Sequence, residues 1–323
     1  MNLYRITGIV FLLIIVWGCK QEISIKKSGF TAINSLSYTG VVYQTKRDTV
    51  FTSTFDGKIY QIINGESQRK QIVAINDEIY DIAFNARENH IYAATLNSGI
   101  VIIDIKKGYV IKELPLKETW AKELVYNLHT GILCTYDFKG NHYIWDTREN
   151  FKLLSTPEEL KKLRPKFIND NGAIYFDGKG AVVVWNYKNN TILDSSKIGG
   201  ELMDVDENRN YMLLSGKEFS YYNKKMDSLL FKQKHPNWPI YVADKDTTVN
   251  VPLSLEIISG LMTTNNIFTL GLDKSFRKWD KHSGELLKTY TLYQNTPTAM
   301  DLAEDESQLV IVDLGGAIKF QEL

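Results

Sequence analysis

Short runs in which apolar and polar residues alternate recur along most of the chain, and turn residues close nearly every run. Phe55-Asp-Gly-Lys-Ile-Tyr-Gln-Ile62 is the first clear copy, followed by Asn64 and Gly65. Leu96-Asn-Ser-Gly-Ile-Val-Ile-Ile103 leads to Asp104 and Gly108, and Phe138-Lys-Gly-Asn-His-Tyr-Ile-Trp145 to Asp146. Lys179-Gly-Ala-Val-Val-Val-Trp185, Gly216-Lys-Glu-Phe-Ser-Tyr-Tyr222, Asp273-Lys-Ser-Phe-Arg-Lys-Trp279 and Gly315-Gly-Ala-Ile-Lys-Phe320 repeat the theme. An alternation of period two places one face of each run inside, so each reads as a strand entered and left through a tight turn.

Ile62, Ile103, Trp145, Trp185, Tyr222, Trp279 and Phe320 end these strands, and their intervals are nearly even apart from a wide one between Tyr222 and Trp279. A period of roughly 40 residues holding about four short strands is the mark of propeller blades. Helical repeats of similar length are excluded, because the stretches between anchors lack a helical period. Earlier strands are visible within the units, at Ile79 to Phe84 and Ile91 to Ala94, and at Met300 to Leu302 and Leu309 to Val312. The expected fold is all-β, a seven-bladed β-propeller over residues 22–323. The last unit ends after its third strand, and the alternating segment Glu22-Ile-Ser-Ile-Lys26 is expected to supply the missing outer strand and close the ring.

With these repeats the chain resembles the WD-repeat and quinoprotein-like propellers over residues 22–323. Trp145-Asp146 and Trp279-Asp280 match the Trp-Asp dipeptide, and Trp185-Asn186 comes close to it. The Gly-His dipeptide common in eukaryotic WD repeats is absent throughout. The blades are therefore read as divergent, and the hydrogen-bonded tetrad of such repeats is not assumed. Each tryptophan is expected to plug the core between blades. Quinone-dependent relatives of this fold often carry adjacent cysteines beside the cofactor, and no such pair occurs here, so no cofactor is expected.

The N-terminus changes the expected address. Arg5 precedes an apolar run from Ile6 to Trp17, too short for a bilayer, which needs ~20 residues. The run ends at Gly18-Cys19 and resembles a bacterial lipobox, although Trp17 departs from the usual small residue. Residues 1–18 are read as a signal peptide, Cys19 as the lipidated first residue of the mature chain, and 19–21 as a short tether. The expected location is extracytoplasmic, on a bacterial outer membrane or cell surface. Lipidation uses one of the two cysteines and leaves Cys134 alone in an apolar strand, expected to be a buried, inert thiol. Charge is balanced at 38 basic against 38 acidic residues, which argues against nucleic acid as a partner.

Candidate chemistry is sparse. His90, His129, His142, His235 and His282 have no second ligand at metal spacing, and neither a nucleophile elbow nor a phosphate loop is present, so no catalytic or metal residues are assigned. An acid recurs near the start of the innermost strands: Asp81, Glu123, Asp204, Glu256 and Asp301. These central-channel acids would either ring the axis and attract a cation, or each accept hydrogen bonds from a neighbouring blade; the second is favoured, because packed carboxylates repel unless individually satisfied. The blade-to-blade connections all emerge on one side and carry Trp120, Trp238, Tyr241 and Tyr293 as candidate partner-binding residues. Residues 155–162 show a helix start with Thr156 as cap and Pro157 in the first turn. The 235–252 segment is read as a long loop inserted into the wide interval between Tyr222 and Trp279.

The expected function is a non-enzymatic, monomeric, membrane-anchored scaffold that binds a protein partner through this aromatic loop face. The alternatives are small-ligand capture feeding a transporter, and a propeller hydrolase or lyase with a metal in the central funnel.

Overall fold

The structure is a computed structural model that describes residues 36–44, 48–291 and 295–323. Six antiparallel four-stranded sheets and one three-stranded sheet follow one another along the chain, each a meander in which sequence neighbours pair. Their innermost strands are Tyr38–Tyr43, Ile79–Asn85, Leu124–Asn127, Arg164–Ile168, Glu201–Val205, Ile257–Met262 and Pro297–Leu302. These are blades one to seven of a β-propeller, and the strands expected from the alternation at 79–84, 91–94 and 309–312 lie within the observed ones. Glu22–Lys26, the expected closing strand, and Cys19 with its preceding segment lie outside the described residues.

The core is divided as the repeat requires. Each pair of neighbouring blades encloses its own apolar cluster, because a sheet with one apolar face must bury it against the next. Trp145 packs against Tyr92, Ile100 and Ile102 of blade two. Trp185 packs against Ile132, Cys134 and Ile144 of blade three, and Trp279 against Met212 and Phe219 of blade five. All three tryptophans are buried, each contributing ~1.5–3 kcal/mol of apolar burial. Blades seven and one meet through Val310, Val312 and Ala303 against Tyr38, Val41 and Val50, so side-chain packing joins the two ends of the described propeller. Cys134 is fully buried, and burial pushes its thiol pKa well up, as suits an inert side chain.

Most inner strands carry a bulge near their start. Register shifts occur at Tyr38/Gly40, Ile79/Asp81, Pro165/Phe167, Leu202/Asp204, Ile257/Ser259 and Pro297/Ala299. A bulge adds twist and re-aims side chains, here in the strands that crowd around the axis.

Three features differ from the sequence reading. Residues 155–162 form a single 3-10 turn, Glu158–Leu160, with Pro157 at the capping position and no side-chain cap. Thr156 instead bonds His142 through its hydroxyl at 2.9 Å, while Leu160 and Leu163 are buried against blades three and four. The turn is held by these apolar contacts.

The 235–252 insertion is a β-hairpin, Trp238–Val242 paired with Thr247–Val251, and forms a two-stranded sheet of its own. Its β-branched and aromatic composition allows pairing where the prolines suggested an irregular loop.

A hydrogen-bonded tetrad does form, in blade six. Trp279 Nε1 donates to Thr269 Oγ1 at 2.8 Å, and His235 Nε2 lies 2.7 Å from the same oxygen. Arg277 bridges His235 Nδ1 to Asp273, with its Nη2 2.6 Å from Oδ2. With Nδ1 accepting from Arg277, Nε2 carries the proton and donates to Thr269. Burial pushes the His235 pKa down, which keeps the ring neutral. Burial also pushes the Asp273 carboxyl up, but bonds from Arg277 and Ser275 and the guanidinium charge hold it well below the usual range. A Cβ at Gly271 would lie 2.6 Å from His235 Nδ1 and 2.5 Å from Asp273 Oδ1, so only glycine leaves the set room. The histidine follows Lys234 instead of glycine, and the hairpin stands between it and the inner strand of its blade.

Candidate functional site

Four aromatic rings form a row across blades one to three, on the side of the ring where blade-to-blade connections emerge. Phe55 sits in the turn between the second and third strands of blade one, and its ring meets Tyr80 edge-on at 5.7 Å. Tyr80, the bulged residue of the inner strand of blade two, lies 5.2 Å from Trp120. Trp120 stacks on Phe138, in the corresponding turn of blade three, at 5.9 Å. Centroid separations of about 4.5–7 Å are those at which aromatic pairs attract beyond simple burial.

The row is held from below by the backbone. Trp120 donates its N–H to Leu96 O at 2.6 Å, Ala121 to Thr95 O at 3.0 Å, and Phe138 to Thr119 O at 3.3 Å. A Lys139–Glu118 ion pair at 2.8 Å ties the turn of blade three to the same connection. Tyr80 donates its hydroxyl to Glu78 at 2.8 Å, and burial together with that carboxylate pushes its pKa up to about 12. Yet Phe138 is 70% exposed, and the buried Trp120 indole N–H meets no acceptor among the described residues. Beside the row, a cleft of about 310 Å³ is lined by Phe55, Asp56, Asn76, Asp77, Glu78 and Asn97.

Of the four candidate aromatics, Trp120 is the one in this row. Trp238 is half-buried on the first hairpin strand, in the connection between blades five and six, and Tyr241 lies on the same strand. The row runs over blades one to three and the hairpin follows blade five, so the shared side of the propeller does not bring these residues into one cluster. Tyr293 lies outside the described residues. Phe55, Tyr80 and Phe138 were missed because each looks like an ordinary strand-flanking residue. The available signal was the repeated register of Phe55-Asp-Gly and Phe138-Lys-Gly.

The acids separate into three groups. Asp81 accepts from Leu124 N of blade three at 2.8 Å, Asp204 from Met262 N of blade six at 2.7 Å, and Asp301 from Tyr43 N of blade one at 2.7 Å. Asp81 and Asp204 also each accept the N–H of the following residue at 2.8 Å. Each aspartate thus clamps its blade to the next inner strand. All three are half-buried. This burial pushes Asp81 and Asp204 up to about 7 and Asp301 to about 6, despite the N–H donors.

Glu123 takes a different part. Burial pushes its carboxyl up, but the Lys166 ammonium and the Tyr136 hydroxyl prevail and leave it lowered. Lys166 bridges Glu123 to Glu201, the latter at 2.6 Å, and Arg164 binds Asp177 at 3.0 Å. Asp177 accepts Leu202 N at 2.9 Å, so a second-strand carboxylate joins blades four and five. Neither Lys166 nor Asp177 was singled out in the sequence; the two cations flanking Pro165 inside a strand were the signal for this network. Glu256 is exposed and stands apart, lining a cleft at the base of the hairpin.

Among the described residues no group of three or more His, Cys, Asp or Glu side chains could hold a metal ion. His142 bonds Leu163 O and Thr156, and His129 pairs with Asp170 at 3.2 Å. On the opposite side of the ring, a cleft of about 480 Å³ lies among the first turns of blades three to five, lined by Tyr126, Phe167, Asn169, Asn171, Asp206 and Arg209.

The architecture defines a WD40-like β-propeller, and solved structures agree. The chain is similar to the WD40 β-propeller domain of Doa1, with a TM-score of 0.67 and 10% identity over 88% of this chain and 92% of that one. It is similar to the computationally designed Ika8 protein, at 0.62 and 14% over 90% and 97%. A chain in the mitotic checkpoint complex gives 0.69 and 10% over 90% and 91%. No protein-family model matches the sequence, and no curated protein matches it. At these identities the likeness is one of fold.

Proposed function

We propose that this propeller is a membrane-anchored, extracytoplasmic scaffold that holds a protein partner on the side carrying the aromatic row. The observation that supports this is the row itself: Phe55, Tyr80, Trp120 and Phe138 in continuous contact over three blades, with Phe138 largely exposed. Rings fixed from beneath lose little freedom on binding, and buried aromatics commonly supply most of an interface's energy. The anchor is inferred from Cys19 directly after the apolar run.

Two measurements test the two halves. Phe138→Ala should reduce co-purification of the partner from detergent-solubilised membranes at least tenfold, or ~1.4 kcal/mol, with the melting temperature unchanged because the ring is solvent-facing. Undiminished capture would move the binding surface elsewhere. Cys19→Ser should leave the membrane fraction or accumulate as an unprocessed precursor, and a processed variant still fractionating with membranes would end the lipoprotein reading.

A further inference from the structure

The hairpin between blades five and six offers an open strand edge. It is a two-stranded sheet that pairs with no other sheet among the described residues. Such ribbons are marginally stable alone, and an unpaired edge is a template for another extended chain.

The two edges are not equivalent. Trp238 directs its N–H across the hairpin to Leu253 O at 3.0 Å, and Ile240 pairs with Val249 and Val242 with Thr247. Antiparallel ladders alternate, so residues 238, 240 and 242 face inward, as do 247, 249 and 251. Residues 239 and 241 then face outward on the first strand, and 248 and 250 on the second. On the first strand, one outward position is Pro239, which has no N–H to give. On the second strand, Thr248 and Asn250 both keep donor and acceptor.

That second strand, Thr-Thr-Val-Asn-Val over 247–251, carries no charge, and residues 247–250 are exposed, Val249 at 48%. Natural edges are usually blunted by lysine, proline or a bulge, and this one has none of these. Its far end runs through Pro252 and Leu253 into a cleft of about 510 Å³, lined also by Gly216, Lys217, Asn237 and Glu256.

We propose that Thr247–Val251 is a strand-addition site for an extended, uncharged, β-branched segment of a partner protein, whose chain continues into the cleft beside Leu253. The backbone groups at Thr248 and Asn250 select an extended polypeptide, since they bind main chain and not side chains. The cleft at one end favours a segment that continues as a chain over the turn of a second identical hairpin. This site is separate from the aromatic row.

The probe is an acetylated, amidated heptapeptide alternating threonine and valine, with a terminal labelled lysine, titrated onto the propeller by fluorescence anisotropy. Saturable binding is expected, and Asn250→Pro, which removes one outward donor, should weaken it at least tenfold. Slow hydrogen exchange at the inward amides of Thr247 and Val249 shows that the hairpin of the variant is intact; if it is not, Thr248→Pro serves instead. Phe138→Ala should bind the peptide like wild type, which separates this site from the aromatic row. Absent binding, or binding unchanged in a variant with an intact hairpin, would overturn the proposal. So would sedimentation showing a dimer that Asn250→Pro dissolves, because a second copy would then occupy the edge.

Discussion

Asp204→Asn is expected to make the propeller more stable at pH 8, with less than half that gain at pH 5. Asp204 accepts two backbone N–H groups, from Met262 of the next blade and from Val205. Asparagine retains an oxygen for the inter-blade bond and removes the charge. Burial pushes the folded pKa up to about 7, against an ordinary value of 3.8. A group whose folded pKa is raised contributes stability that is fully present below its unfolded pKa and lost as pH rises through the folded one. The window is therefore pH 4 to 8, and wild type loses stability at this site on going alkaline. At 1.36 kcal/mol per pKa unit the ceiling is ~4 kcal/mol. The residue is half-buried, so solvent screens part of this, and an observed gain of about 1–2 kcal/mol is expected at pH 8. For a chain of this size that is a rise of ~2–8 °C in the melting temperature. Thermal melts of both proteins at pH 5, 6.5 and 8 measure it. His142 and His235, whose pKa values burial pushes down, add a pH dependence of their own, but they are common to both proteins and cancel in the difference. A variant less stable than wild type at pH 8, by as much as at pH 5 or more, would refute the reasoning. It would mean that the two N–H donors stabilise the anion more than burial disfavours it.

Three further outcomes follow from the same geometry. Thr269→Val leaves the buried Trp279 Nε1 and His235 Nε2 without their shared acceptor and should cost ~2–4 kcal/mol in urea titration, from two orphaned donors; a loss below about 0.5 kcal/mol, the size of a surface change, would deny the tetrad a stabilising part. Cys134 should be silent to thiol reagents in the native protein and react only after unfolding, and rapid native labelling would contradict its burial. Deleting residues 22–28 should lower the melting temperature by several degrees if they complete blade seven, and an unchanged melt would show that the ring closes otherwise.

The blades were legible because their signal is local. Period-two alternation, tight turns and an even repeat interval are written in adjacent positions, and Trp145, Trp185 and Trp279 mark the strands that bury them. Contacts that link distant residues were harder to read. His235 reaches Arg277 and Asp273 across an inserted hairpin and two strands of blade six, so a search for glycine followed by histidine passed over it. The hairpin read as a loop because proline signals irregularity wherever it stands, yet Pro239 costs nothing on an edge with no partner. The acids recurred visibly, but alternation gives only a side chain's face. Whether Asp81 meets a backbone N–H and Glu123 a lysine depends on Leu124 and Lys166, which come from other blades.

Trp120 shows why the aromatic row calls for an explanation beyond the fold. Its backbone is in the left-handed region, at φ 70°, where a bulky side chain is a genuine outlier. Such a conformation costs about 1–3 kcal/mol, and the buried indole N–H without an acceptor adds a cost of similar size. Each blade interface already has its own buried apolar cluster, and Trp120 belongs to none of the buried sets that make them. The ring is instead held between Tyr80 and Phe138 on a side of the molecule where nothing among the described residues covers Phe138. Strain of this kind persists where surrounding structure over-determines it, as the Leu96, Thr95 and Thr119 carbonyls do here. A partner that stacks on Phe138 would extend the row and gain from rings already held in place. Replacing Trp120 with Gly should then leave the propeller about as stable as before, or slightly more stable, because glycine enters the left-handed region without strain, while abolishing capture of the partner. A large loss of stability with capture intact would place Trp120 in the core after all.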